Sequence, residues 1–474
     1  MEKNRNNILE NILLSAISIF LVLFSCPSWN FAMSIDDENK LGKEFLESVK
    51  KELATLDDTF VNQYLTDLGN YLGQFQDNKP FGLTFYVTKE NQLNAFAGPA
   101  GYIFIYSGLI NIMDEADELA SVISHEIGHV SSRHLSRQSD QGQLASIGVM
   151  AGMLAGALIG GDAGEALMIG SYAAGTQAML SYSRDDEREA DQLGFKKAYL
   201  AGFKPDAFVS ALSKLQQGQW GVNQTPAYLL THPVDSERMA NLTAMSRIYP
   251  EPEKSEEAER FRRLYPLFRT IVRAQSTDPK ESERYFSSEL QKTPDSGIAH
   301  FGLAMTLQRK GEYAGALDEY NIALSSLTEK APVLRYMGET YQMKGQTKDA
   351  VSTFEKALAI DKKDKAILYL LAMSYQDMEE YSKAVEIYDR LALMEPVKDD
   401  VYYNLGLCLG RQNILGLAHY NFGRYFKRIG DRENADFHFK KAGELAGSDQ
   451  DLQDRIRKET EDMKKEKKPM QAPS

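Results

Sequence analysis

Apolar residues recur at three- and four-residue spacing from Asp36 to about Gln76: Leu41, Phe45, Val49 and Leu53, then Val61, Tyr64, Leu65, Leu68 and Leu72. That spacing predicts two amphipathic helices. The pattern then shortens to two β-rich runs, LTFYVT (83–88) and YIFIYS (102–107), separated by NQLNAFAGPAG, where Gly98, Pro99 and Gly101 mark a turn. A small antiparallel sheet is expected there. Its edge strand is open to two readings, an ordinary hairpin or a template for an extended peptide. Helical spacing resumes near Asp114 or Asp117, with acidic residues in the first turn, where the helix dipole favours them. Leu119, Val122, Ile123, Ile127 and Val130 supply its apolar face.

In the second half a period of 34 residues emerges. Ala316, Ala350, Ala384 and Ala418 are in register, as are Tyr320, Phe354, Tyr388 and Phe422. Leu303, Met337, Leu371 and Leu405 form a third register, each followed by a small residue: Ala304, Gly338, Ala372 and Gly406. Small residues let paired helices approach and the larger ones fill the interface, which is the tetratricopeptide pattern at its usual period. The chain is therefore expected to be mainly α, an α+β domain with a small antiparallel sheet followed by an α-solenoid of tetratricopeptide repeats. The expected divisions are a signal peptide at 1–32, the first domain at 33–246, a linker and degenerate first helical repeat at 247–294, repeats at 295–446, and a charged tail at 447–474.

Length and composition leave this picture intact. The 474 residues suffice for about three domains, and 43% hydrophobic content is ordinary for globular cores. A formal charge of −13 argues against nucleic acid as a partner, since phosphate binding needs a basic surface. Lys3 and Arg5 followed by an apolar run from Ile12 to Phe24 read as an export signal too short for a membrane span, with cleavage expected near Ala32. Cys26 follows Leu23, Phe24 and Ser25, a partial lipoprotein signal in which bulky Phe24 argues against lipidation. Once the signal is removed Cys408 is the single remaining cysteine, so no internal disulfide can form. Residues 147–180 hold two apolar stretches broken by GGDAGE, read as buried or flexible helices beside the site in preference to a membrane hairpin.

The chemistry lies in HEIGH, residues 125–129. His125 and His129 are about one helical turn apart, so both rings can grip one metal ion, and Glu126 is placed to take a proton from a water activated there. His134, five residues beyond His129, would lie about 140° further round a continuous helix and is not counted as a ligand; a role in capping or hydrogen bonding is expected instead. A catalytic zinc site commonly takes three protein ligands. In SYSRDDEREAD (181–191), Glu187 and Asp191 are four apart on a predicted helix. One can bind the metal while the other accepts the remaining N–H of a ligating histidine.

HEIGHVSSRH followed by SRDDEREAD resembles the HtpX and CAAX-endopeptidase family of HExxH zinc metallopeptidases, and NAFAGPAGYIFIYSGLI resembles that family's strand and loop beside the cleft. The resemblance implies one Zn2+ per chain held by His125, His129 and Glu187, Glu126 as the catalytic base, and Asp191 behind the ligands. The absence of two clear membrane spans points to the soluble, exported branch with C-terminal repeats. That branch implies a periplasmic setting in a Gram-negative envelope and substrates that are unfolded or misassembled outer-membrane proteins. It also implies docking on the barrel assembly machinery through the repeats, with room for peripheral membrane association. THPVDSERM also resembles a recurrent segment of the branch: His232 can occupy the metal's open position as a gate, and Arg238, or His232 in another pose, can stabilise an oxyanion. Two rival readings are an adaptor, chaperone-like, with a latent site, and a membrane-embedded peptidase that would need detergent.

Overall fold

The computed structural model describes residues 33–140, 182–217 and 225–465. The export signal, Cys26 and the apolar stretches at 147–180 lie outside them. No helix among the described residues is long and apolar enough to cross a membrane.

The two N-terminal helices form as the periodicity predicts. Helix α1 (Ile35–Glu52) starts at Ser34, whose hydroxyl accepts from Asp37 N–H, and buries Phe45 and Val49. Helix α2 (Thr59–Gly73) is capped by Asp58, which accepts from Val61 N–H, and buries Val61, Tyr64, Leu65, Leu68 and Leu72. Each cap satisfies a backbone donor that the helix leaves without an internal partner.

Three strands follow: β1 (Thr84–Thr88), β2 (Ala95–Ala97) and β3 (Tyr102–Tyr106), in the order β1-β3-β2. The sheet is mixed, which corrects the expected antiparallel pair. β1 runs parallel to β3 from Thr84↔Tyr102 to Thr88↔Tyr106, while β2 is antiparallel to β3 from Ala95↔Ile105 to Ala97↔Ile103. The stretch read as one turn contains a strand, AFA, so the chain reverses twice and its third run regains the direction of the first. β1 and β2 are the edges.

Helix α3 (Ser107–Ile112) leads into α4 (Ala116–Ser131), the helix of the HEIGH motif. Glu115 and Glu118 form a capping box at its start. Leu119, Ala120, Ile123 and Ile127 are fully buried in the central core; burying a large aliphatic side chain contributes about 1.5–3 kcal/mol. Helix α5 (His134–Asp140) follows at once, and after it the described chain resumes in α6 (Arg184–Leu200), α7 (Ala207–Gln217), α8 (Ala227–Thr231) and α9 (Ser236–Ile248). Helices α4 and α6 cross at two glycines. A Cβ at Gly128 would stand 2.8 Å from the carbonyl oxygen of Ala190, and one at Gly194 2.9 Å from the backbone nitrogen of His125. Backbone-to-backbone approach brings the acidic face of α6 within reach of the histidines on α4.

The stretch expected as a linker and degenerate repeat carries two helices, α10 (Glu256–Ser276) and α11 (Pro279–Lys292). Tyr64 donates to Phe261 O at 3.0 Å, Tyr265 donates to Met113 O at 2.9 Å, and one hydrophobic cluster runs from Leu56 to Met337. The core thus passes from the first half into the repeats without a break. Paired helices continue as α12 (Gly297–Lys310), α13 (Tyr313–Ser326), α14 (Lys330–Met343), α15 (Thr347–Ile360), α16 (Lys365–Asp377), α17 (Tyr381–Leu391), α18 (Asp399–Arg411) and α19 (Leu415–Arg428). Ala316, Ala350, Ala384 and Ala418 are all buried, as the 34-residue register requires.

The array ends in α20 (Arg432–Ala446) and α21 (Gln450–Lys465). The expected charged tail therefore carries a packed helix over much of its length. Leu452, Ile456 and Met463 are buried against Phe439, a sparse apolar stripe hidden among the charges of α21.

At the junction Asp58 is buried and does more than cap α2. Its Oδ2 accepts from Gln275 at 2.9 Å, from Arg335 at 2.9 Å and from the Tyr336 hydroxyl at 2.6 Å. Burial pushes the carboxyl up, but the Arg335 charge and these donors outweigh it and hold its pKa below the ordinary value.

Candidate metal centre

Helix α4 aims His125, Glu126 and His129 into the space between α6 and α8. The Nε2 atoms of His125 and His129 face each other at 3.0 Å. Helix α6 begins at Ser183, whose capping box with Asp186 fixes the first turn and sets Glu187 beside both rings. Glu187 Oε1 is 3.3 Å from His129 Nε2, and its Oε2 is 3.5 Å from His125 Nε2. Asp191, one turn on, lies 2.9 Å from His125 Nδ1. Among the described residues, His125, His129, Glu187 and His232 form a cluster with ligand atoms all within 4.8 Å of one another, every side chain buried.

His232 reaches the cluster from the turn between α8 and α9. Tyr228 N–H donates to Leu93 O at 3.1 Å, tying α8 to the strand side, and the Tyr228 ring stacks on His232 at 4.5 Å. His232 Nδ1 is 3.3 Å from His125 Nε2. Asp235 caps α9 by accepting from Arg238 N–H at 2.8 Å, which turns the Arg238 side chain back toward α6. There Arg238 donates to both oxygens of Asp191, at 2.7 and 2.8 Å, and also contacts Glu187. The guanidinium is engaged by the two carboxylates, with its remaining contact to Pro233 O.

The charges favour a cation. Burial pushes the Glu187 carboxyl up, yet His232, Arg238 and His125 hold its pKa well below the ordinary value. Burial alone would depress His125, but Glu187 and Asp191 outweigh it and raise its pKa. His129 goes the other way: burial and the neighbouring imidazoles hold it well below the usual histidine range, so it offers a neutral ring with a lone pair. With His125 Nδ1 turned to Asp191, the neutral form of that ring carries its lone pair on Nε2, and in that form two lone pairs face one point. Three imidazole nitrogens and one carboxylate oxygen form a donor set that zinc fits. Glu126 is fully buried, and neither of its oxygens has a protein hydrogen bond of normal geometry. Burial raises its pKa against the pull of His232 and His125.

All seven residues singled out in the sequence thus fall within one buried cluster, with Asp191 and Arg238 behind the metal-facing side chains. Two neighbours carried no sequence signal of their own. Tyr182 lays its ring on His129 at 3.8 Å, and Glu189 stands behind His134 at 3.3 Å.

A groove of about 380 Å3 opens beside the cluster between α6 and α9. Tyr182, Glu187, Asp191, Arg238, Leu242 and Met245 line it, so the carboxylate side of the cluster faces accessible space.

Comparison with known proteins agrees with this geometry. Residues 62–246 match the model of peptidase family M48, and residues 271–332 and 342–405 match tetratricopeptide repeat models. The chain is 28% identical over 305 residues to the beta-barrel assembly-enhancing protease of Yersinia pestis, covering 63% of this chain and 61% of that protein. It is 30% identical over 213 residues to the protein of the same name in Escherichia coli (strain K12), covering 44% of each. Metalloprotease LoiP of Escherichia coli (strain K12) is 29% identical over 179 residues, 38% of this chain and 68% of that protein. The match with the two assembly-enhancing proteases therefore spans less than two thirds of their length. Residues 62–246 are a peptidase family M48 domain with an HExxH-type metal cluster, fused to tetratricopeptide repeats.

Proposed function

We propose that the chain is an exported zinc endopeptidase of envelope protein quality control, with one zinc ion held by His125, His129 and Glu187. The observation that carries this reading is the convergence of those three side chains beside a buried Glu126 that makes no hydrogen bond of normal geometry. Zinc would supply Lewis acidity, lowering the pKa of a water and polarising a scissile carbonyl. Glu126 takes the proton from that water and delivers it to the departing amine, and its raised pKa suits a group that must hold a proton between the two steps. Asp191 accepts from His125 Nδ1 and fixes the tautomer that leaves Nε2 free. Arg238, bound to both carboxylates, sets their orientation; its engagement there favours this role over an oxyanion donor. The outer edge of β2 beside α4 supports strand addition as the way an extended substrate lies across the site.

The reading extends to misassembled outer-membrane proteins as substrates, a periplasmic location and docking through the repeats on the barrel assembly machinery; the relatives named beta-barrel assembly-enhancing protease support the link to barrel assembly. His232 supports a second reading within the first, a latent site in which the fourth imidazole takes the position a substrate needs and the repeats also serve as an adaptor.

The test is zinc content measured together with cleavage of an unfolded protein such as casein. Wild type with about one zinc per chain and cleavage abolished in Glu126→Gln supports the reading. Zinc-loaded wild type and zinc-loaded His232→Ala that both cleave no unfolded substrate sink the peptidase claim.

A further inference from the structure

A continuous helix through residue 134 would turn His134 away from His129. The helix does not continue. Arg133 stands at φ +52°, a left-handed conformation that is unfavourable for a non-glycine residue and persists only where the surroundings hold it. Two bonds to Glu38, at 2.9 and 2.8 Å, provide that hold. The break folds α5 back on α4 and brings His134 Nδ1 to 2.7 Å from His129 Nδ1, with His134 completely buried. On its far side His134 Nε2 is 3.3 Å from Glu189 Oε2. Arg137 donates to that oxygen at 2.8 Å, and Ser132 donates to Glu189 Oε1 at 2.7 Å.

We propose that His134 and Glu189 are positioning residues for the metal centre: a second imidazole and an anchored carboxylate that together fix the tautomer and ring angle of His129. The inference rests on the reading of His129 as a zinc ligand through Nε2. A neutral ring bound through Nε2 carries its proton on Nδ1 and must donate it. The group facing that proton is His134 Nδ1, which therefore accepts, and a neutral His134 then carries its own proton on Nε2 and donates to Glu189. Every proton in the relay is assigned once the first is placed.

The His125 branch has the same logic with one part fewer. There Nδ1 faces Asp191 directly, and Arg238 anchors that carboxylate. On the His129 branch the anchored carboxylate is Glu189, half-exposed and on a different face of α6 from the ligand, and His134 bridges the gap. Each ligand histidine of α4 thus leans on a carboxylate from α6 that is held by an arginine from a third helix. The ring of Tyr182 on His129 adds a stacking face but no proton acceptor.

The experiment uses the full chain and zinc competition against a chelator. His134→Phe keeps the ring volume and removes the acceptor, so zinc affinity is expected to fall by about 10–100-fold, the usual cost of deleting such a partner. His134→Asn returns an oxygen near the Nδ1 position and is expected to recover most of the loss. Zinc affinity of the His134→Phe variant equal to wild type, or no recovery with His134→Asn, overturns the relay. Selective 15N-histidine labelling of the zinc-loaded wild type gives an answer that needs no variant to fold: the proton is expected on Nε2 of His134, and a proton on its Nδ1 overturns the proposal. Wild type that binds no zinc would defeat the metal assignment itself, whereas tight binding in both wild type and His134→Phe defeats only the relay.

Discussion

His232 Nδ1 lies 2.9 Å from Oε1 of Glu187, 45 residues away in sequence, and His232 Nε2 lies 3.6 Å from Oε1 of Glu126. One imidazole therefore stands between the proposed third ligand and the proposed base. If it is a gate, His232→Ala raises basal cleavage of casein by about tenfold, the gain expected when a closed arrangement holds about nine-tenths of the molecules. Lower activity at unchanged zinc content would instead make His232 part of the chemistry.

Glu126 makes no well-formed hydrogen bond in the cluster and is not needed to hold the metal. Glu126→Gln is expected to keep its zinc while cleavage falls by about 10²–10⁴-fold, the usual worth of a positioned base. Metal analysis and a turnover assay on the same preparation check this. Zinc loss in the variant would assign Glu126 to the ligand set.

Asp58 joins the cap of α2 to the repeats through Arg335. Asp58→Ala removes the contact of the buried Arg335 guanidinium at 2.9 Å and leaves it the Glu339 carboxylate at 3.3 Å, and is expected to cost about 3 kcal/mol in urea unfolding. Because the folded-state pKa of Asp58 lies below the ordinary 3.8, its contribution is present above that value and is lost as pH falls through the folded pKa. The stability difference between wild type and Asp58→Asn should accordingly shrink below about pH 4. A difference that stays constant down to pH 3 contradicts the assignment.

Lys197 is buried between α4 and α6 with Ser131 Oγ at 3.0 Å, and burial pulls its pKa down to about 8. The unfolded chain, with a lysine near its ordinary 10.5, binds more protons between about pH 8 and that value, so wild-type stability rises with pH across this window. Lys197→Met is expected to melt higher than wild type at pH 7, with the gap closing toward pH 10. A gap independent of pH would mean that Lys197 keeps its ordinary pKa in the folded chain, as a paired lysine does.

Local spacing carried much of this protein into view from the sequence. Two histidines four apart share a helix face wherever a helix forms, so HEIGH announced a metal grip before any fold was known. Glu187 and Asp191 did the same on α6, and the 34-residue register located paired helices because each repeat must bury the same face against its neighbour. Those properties follow from backbone geometry over a few residues, which is the same in every protein.

Tertiary structure decided whatever depends on how often the chain turns and where it breaks. The sense of β1 against β3 followed from a second reversal at Ala95–Ala97, and the return of His134 to His129 from a left-handed Arg133 held by Glu38, 95 residues away. The meeting of α4 with α6 needed two glycines, Gly128 and Gly194, to lie opposite backbone, and each is informative only once its partner is known. His232 and Arg238 joined the site because α8 and α9 turn back over α6. Contacts of this kind are set by packing between distant segments, and no spacing along the chain records them.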